Sequence, residues 1–259
     1  MHPALDQYIA GVNQDYLYPA SKRPDAVRRR LQTALAFSEF HVDCARALLE
    51  QMASTPDAAV FFADRQGRYT LQVFCWPPGF SNHPHHHNTW TVAGVLTGSL
   101  LVCRSPLSEA ACLASEPIVA TAGQAGMLLP PQFHCLRNPG CETAITFHVF
   151  SLDNAAASQD LDQRTLSTAR FDDDDVVAIA RMAVDKGGCE ALDCVRLAFF
   201  LVGPAAKLDL IKLTMTHDRR EGIRMGRTLC RLVGGVDGRR LSSVLDELEA
   251  EDHRRVGAL

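Results

Sequence analysis

The stretch HPHHHNTW, residues 83–90, places four histidines within five positions of a chain that holds ten in all. Imidazole is a good ligand for divalent transition metals, so this density raises the question of a metal site. Side chains alternate faces along a strand. His83, His85 and His87 then point one way and His86 the other. Two histidines at i and i+2 can converge on one ion, which makes His85 and His87 the candidate pair. His83 shares their parity but precedes Pro84, and a rim position is expected for it. A third ligand has to come from elsewhere. His134 is the natural choice, because GQAGMLLPPQFHCLRNPG (123–140) reads as a Gly/Pro turn entering a strand.

Three regions of different texture must position these side chains. Residues 1 to about 55 read as helical. Within DAVRRRLQTALAFSEFHVDCARALLEQMA (25–53), Val27, Leu31, Leu35, Phe40 and Ala45 follow an approximate helical period, and Pro24 and Asp25 make a plausible start. His41 is expected on the surface of that helix. From about 58 to 153, short apolar runs such as TLQVFCW, TWTVAGVLTGSLLVCR and TAITFHVFSL alternate with turn residues. Gly, Pro, Asn and Asp recur there every eight to twelve residues, the spacing of a β-sandwich or barrel. From about 155 onward, helical patterns return. DDDDVVAIARMAVDKGG (172–188) has acids at its start and glycine at its end, as the helix dipole and a C-terminal cap favour. The four aspartates lack the spacing of a calcium loop. The division expected is residues 1–155 for N-terminal helices plus a barrel, and 156–259 for an α-helical region.

The totals set limits. The chain has 259 residues, 47% of them apolar, enough for a sizeable core. Its net charge of −4 carries no electrostatic footprint for nucleic acid or an anionic membrane. No apolar run approaches the ~18 residues of a membrane span, and no basic-then-apolar leader opens the sequence. The nine cysteines are scattered, with no Cys-x-x-Cys pair. Free thiols in a reducing cytoplasm are expected. Cys135, beside His134, is expected to face away, buried and inert.

The two histidine segments resemble the two halves of the cupin signature. Gly79 is followed by five residues, then His85 to His87, three residues, Thr91, six residues and Gly98. Every spacing fits, but threonine stands where the signature has a glutamate ligand. In the second half, Gly123, His134 and Asn138 hold the expected relative places. The resemblance implies a mainly β fold, a cupin-type jelly-roll barrel carrying the helical additions at both ends. It implies one mononuclear ion, Fe(II), on His85, His87 and His134. Three neutral imidazoles leave about three positions open, room for a bidentate substrate and dioxygen together.

A narrower resemblance covers residues 25 to 153. GRYTLQVFCWPPGFSNHPHHHNTWTVAGVLTG (67–98) looks like the central segment of the cysteine dioxygenase family, particularly its bacterial members that act on mercaptopropionate. The shared features are Cys75–Trp76, Pro78–Gly79, His85 and His87, Trp90, and the turn from Gly94 to Gly98. The family's Ser-x-His-x-Tyr strand falls on TFHVF, as Thr146, His148 and Phe150. The resemblance implies an iron-dependent dioxygenase that converts a small-molecule thiol to a sulfinate with O2, with His148 and Thr146 assisting in the pocket.

Two departures bear on the substrate. Phe150 replaces the tyrosine, and Val92 stands where animal members carry the crosslinking cysteine. The arginine that binds the substrate carboxylate in the animal enzymes falls near Phe61 to Ala63, with no arginine there. Arg65, Arg68, Arg104 and Arg137 are the candidate substitutes, and Arg68 and Arg137 join Trp90 and Phe150 in the expected substrate-binding set. Trp90 reads equally as plain core packing. Free cysteine is therefore a poor first guess, and a larger, uncharged or carrier-bound thiol fits better. A three-histidine cupin acting at carbon, and a non-catalytic metal-dependent sensor or scaffold, stay open. The C-terminal helices could serve as a dimer interface, a lid or a docking surface.

Overall fold

The computed structural model describes residues 2–54, 62–152, 171–187 and 189–233, with scattered positions between 239 and 250. Phe61 and the expected boundary near residue 155 fall outside the described residues.

Three helices open the chain: α1 (Pro3–Asp15), α2 (Arg23–Ala34) and α3 (Ser38–Ser54). Proline sits in the first turn of α1 and α2, where its missing N–H costs nothing. The stretch read as one helix over 25–53 is two. The break falls at 35–37, where the apolar spacing widens from four to five residues. His41, expected on the surface, is buried at 0% exposure, and its Nε2 meets Leu35 O at 3.0 Å. The bend at the α2–α3 junction brings that carbonyl to the ring.

Eight strands follow: β1 (Phe62–Ala63), β2 (Tyr69–Trp76), β3 (Thr91–Thr97), β4 (Ser99–Ser105), β5 (Ile118–Thr121), β6 (Ala125–Leu128), β7 (Phe133–Arg137) and β8 (Ala144–Ser151). A short helix, α4 (Glu109–Leu113), joins β4 to β5. The strands form two antiparallel sheets, β1-β2-β8-β3-β6 and β5-β4-β7. Residues 81–85 run beside β7 through bridges at Ser81–Arg137 and His85–His134. The sandwich or barrel expected from the turn spacing takes the form of two antiparallel sheets with a cavity of about 850 Å³.

The five-stranded sheet is buried on its outer face. Leu71, Val73, Val92, Leu96, Ile145, Phe147 and Val149 point outward into one apolar cluster with α1, α2 and α3. The rings of Tyr8, Phe40 and Phe147 meet there at 5.2–5.5 Å. Four more helices follow: α5 (Asp173–Lys186), α6 (Cys189–Leu201), α7 (Pro204–His217) and α8 (Arg219–Val233). Asp172 and Asp175 form a reciprocal capping box on α5, and Gly187 ends it at φ 84°, as the acids and glycine in the sequence foretell. The helices after residue 170 pack on one another and, through α5 and α6, on α3; Ile179, Ala183 and Val195 belong to the same cluster as the sheet.

Helix outweighs strand among the described residues, so the expected mainly β class is corrected to mixed α and β. The reason lies in that outer face: its alternate apolar residues need cover, and helices from both ends of the chain provide it. No described helix is long and apolar enough to cross a membrane.

Gly98 turns β3 into β4 at φ 77°, and a Cβ there would lie 2.9 Å from the Ala144 Cα. Gly98→Ala combines left-handed strain with a backbone clash. Chemical denaturation should show a loss of about 2 kcal/mol or more, and a change within measurement error would contradict this packing.

Candidate metal centre

The site begins with a backbone pairing. His85 N donates to His134 O at 3.0 Å, and His134 N donates to His85 O at 2.8 Å. Directly opposed residues share a face, so the two imidazoles meet with centroids 4.3 Å apart. His87, two residues on, brings its ring to 5.1 Å from His85 and 5.0 Å from His134. Donor atoms of the three rings all lie within 4.8 Å of one another. His86 turns aside, its ring 5.0 Å from that of Phe133, and His83 is exposed.

The cluster fits a divalent cation. His85 Nδ1 meets the His83 carbonyl at 2.9 Å, which places its proton there and frees Nε2. Nδ1 of His134 is buried without a hydrogen-bond partner, an orphan that coordination would satisfy. Burial, reinforced by the neighbouring imidazoles, pushes His87 and His134 down to about 3. Both are neutral at pH 7 and ready to bind. No aspartate or glutamate is among the described residues that line the cavity, and Thr91 stands where a carboxylate ligand was looked for.

The inner face of the five-stranded sheet forms the wall behind the triad. It presents Phe74 and Trp76 from β2, Thr91 and Ala93 from β3, and Thr146, His148 and Phe150 from β8. Trp76 Nε1 donates to Thr146 Oγ1 at 2.8 Å, and His148 Nε2 lies 2.8 Å from the same oxygen. An indole N–H can only donate. With that bond made, donation from the Thr146 hydroxyl to His148 Nε2 leaves the fewest groups unmet, and it places the ring proton on Nδ1. Burial pushes His148 down to about 3 as well. Phe150 stacks on His148 at 5.5 Å and approaches the His87 ring at 5.4 Å.

The expected site residues divide into two groups. His85, His87, His134, Thr146, His148 and Phe150 surround one cavity. Arg68, Arg137 and Trp90, expected to bind substrate, are not among the residues that line it. Arg68 is held elsewhere by Asp64 at 2.8 Å, by Asn13 and by the Tyr16 ring at 5.3 Å. Arg137 ends β7 exposed. Trp90 packs in the core beside Tyr16. Of the four arginines weighed, Arg104 borders the cavity, directly opposite His134 across β4 and β7. Cys135 is buried, its thiol pushed up to about 12 by burial and the nearby Cys112 and Cys103. Sequence reasoning missed Trp76 as a hydrogen-bond donor in the wall. Its parity with Phe74 on β2 was the available signal.

No family model and no curated protein matches this chain. Solved structures do align with parts of it. A cupin superfamily protein from Desulfitobacterium hafniense is 13% identical, with 36% of this chain and 74% of that one covered at a TM-score of 0.30. A protein with a double-stranded β-helix domain from Klebsiella pneumoniae is 20% identical over 38% and 77%, at 0.31. An oxalate oxidase in complex with the substrate analogue glycolate is 24% identical over 33% and 43%, at 0.29. Overlaps this loose carry no weight, and the barrel rests on its own strand pairing.

Removing one of three imidazoles should release the ion. Purified His87→Ala should lose more than about 100-fold in metal affinity, seen as metal content after desalting. A full equivalent retained would show that His87 is not a ligand. Acidification tests the buried rings. His148 is neutral in the fold at pH values where the unfolded chain, at the usual 6.5, takes a proton. The unfolded state then binds more protons between about pH 6.5 and 3, so the ring costs stability as pH falls through that window. In metal-free protein, the melting temperature of the wild type should fall relative to His148→Gln from pH 7 to 4. Parallel curves would contradict the burial of this imidazole.

Proposed function

We propose that this chain is a mononuclear non-haem iron oxygenase of the thiol dioxygenase type, acting on a thiol other than free cysteine. The observation that carries the reading is the meeting of His85, His87 and His134 in one cavity whose described wall holds no carboxylate. The reaction is R–SH + O2 → R–SO2H, with both oxygen atoms passing to sulfur. Fe(II) on the three imidazoles would supply the binding and activation of thiolate and dioxygen.

The chain's own residues do the rest. The neutral triad keeps the full charge of the ion available to lower a thiol's pKa. Phe74, Trp76 and Phe150 supply the apolar part of that wall, beside the polar Thr91, Thr146 and His148, and limit the water that shares the site. Thr146 and Trp76 orient His148, whose ring lines the cavity. A cavity of about 850 Å³ is far larger than a cysteine needs, which favours a bulkier substrate. The free thiols of the described cysteines support a reducing compartment such as the cytoplasm.

A second reading, oxidation at carbon by the same three-histidine site, draws support from Phe150, which lacks the hydroxyl of the family's tyrosine. A single experiment separates them. Iron-loaded protein is given a panel of small thiols and a panel of diketones while oxygen uptake is recorded. Uptake with sulfinate formation is expected from one or more thiols. Uptake confined to diketones favours the second reading, and tight binding without uptake favours a sensor.

A further inference from the structure

Four polar atoms on the inner face of the five-stranded sheet are left without a partner in the protein. Thr91 Oγ1 and His148 Nδ1 are buried without a hydrogen-bond partner, and so are Thr70 Oγ1 and Gln72 Oε1 on β2. Native proteins keep few such groups, and four in one place need an account. The strand register makes them a single patch. Thr70, Phe150 and Thr91 stand in one row across β2, β8 and β3, and Gln72, His148 and Ala93 stand in the next. Thr91 and His148 line the cavity and are only 2% and 7% exposed. They are diagonal neighbours, ~7–8 Å apart at the backbone and closer at the side chains, so one oxygen atom can reach both.

We propose that this patch is a substrate subsite that takes an uncharged oxygen, a hydroxyl or a carbonyl, carried by the thiol beside its sulfur. The inference rests on the thiol reading and specifies its substrate class. The chain Trp76–Thr146–His148 places a proton on His148 Nδ1, so the group received there is a hydrogen-bond acceptor. The Thr91 hydroxyl can donate to the same atom. The described wall's single guanidinium, Arg104, is exposed and belongs to the opposite sheet, so a buried anion between Thr91 and His148 would have no side-chain counter-charge. Gln72 and Thr70 continue the row of unpartnered groups onto β2, on the far side of β8.

Two probes of equal size differ in that oxygen alone: 2-mercaptoethanol and propane-1-thiol. Each is titrated into cobalt(II)-loaded protein while the thiolate-to-metal absorption band is followed. In the wild type, 2-mercaptoethanol should bind about tenfold tighter or more, the worth of a buried hydrogen bond that would otherwise go unmet. Thr91→Val should erase most of that preference, and Thr91→Ser, which keeps the hydroxyl, should retain it. Because the valine removes an orphan hydroxyl at the same volume, ligand-free Thr91→Val should melt no lower than the wild type. A threonine that matters only for packing would lower the melting temperature and leave the preference intact, which overturns the proposal. Equal binding of the two thiols overturns the subsite alone. No band from either thiol overturns the thiol reading, and the subsite with it.

Discussion

The site depends on two hydrogen bonds between the backbones of His85 and His134. They lie almost fifty residues apart in sequence, and the pairing of residues 81–85 with β7 sets their rings on one face. His87 needs no pairing of its own. The strand period returns it to the face of His85, and its ring closes the triangle. A slip of one residue in this register would turn His134 outward and bring Cys135 in.

The five-stranded sheet serves two purposes because its faces differ. Outward, its apolar residues are sealed under α1 to α3, and α5 and α6 stack on α3 in turn. That cover holds β2, β8 and β3 rigid. Inward, the alternate positions carry Gln72, Phe74, Trp76, Thr91, Thr146, His148 and Phe150, an unusual mixture for a barrel interior. The outer face supplies the stability that lets the inner face carry unmet polar groups.

Charge inside the barrel is sparse. His87, His134 and His148 are all held neutral, with burial the first cause in each case. The cost of keeping them unprotonated falls on the fold, and the return is a set of nitrogen lone pairs available at neutral pH. A divalent ion here would meet no compensating carboxylate from the described wall, so its charge would fall on whatever ligand enters the open positions.

The sequence by itself determined which three histidines meet, and the texture of the chain. The i, i+2 spacing of His85 and His87, the turn before His134 and the even spacing of turn residues are local signals, and strand alternation turns them into geometry. The caps of α5 were readable for the same reason. Tertiary structure decided what local pattern cannot carry. Arg68 looked available to a substrate, yet a partner on its own hairpin, Asp64, and another on α1, Asn13, claim it. Trp90 and Trp76 flank the same histidine loop, but opposite faces of one sheet send the first to the core and the second to the cavity. The helices at both ends were legible in the sequence, and only the mainly β label failed to weigh them against the strands; that they cover the sheet's outer face emerges only once the sheet has formed. Which residues touch across strands is a matter of register, and register is fixed by the whole assembly of strands and helices.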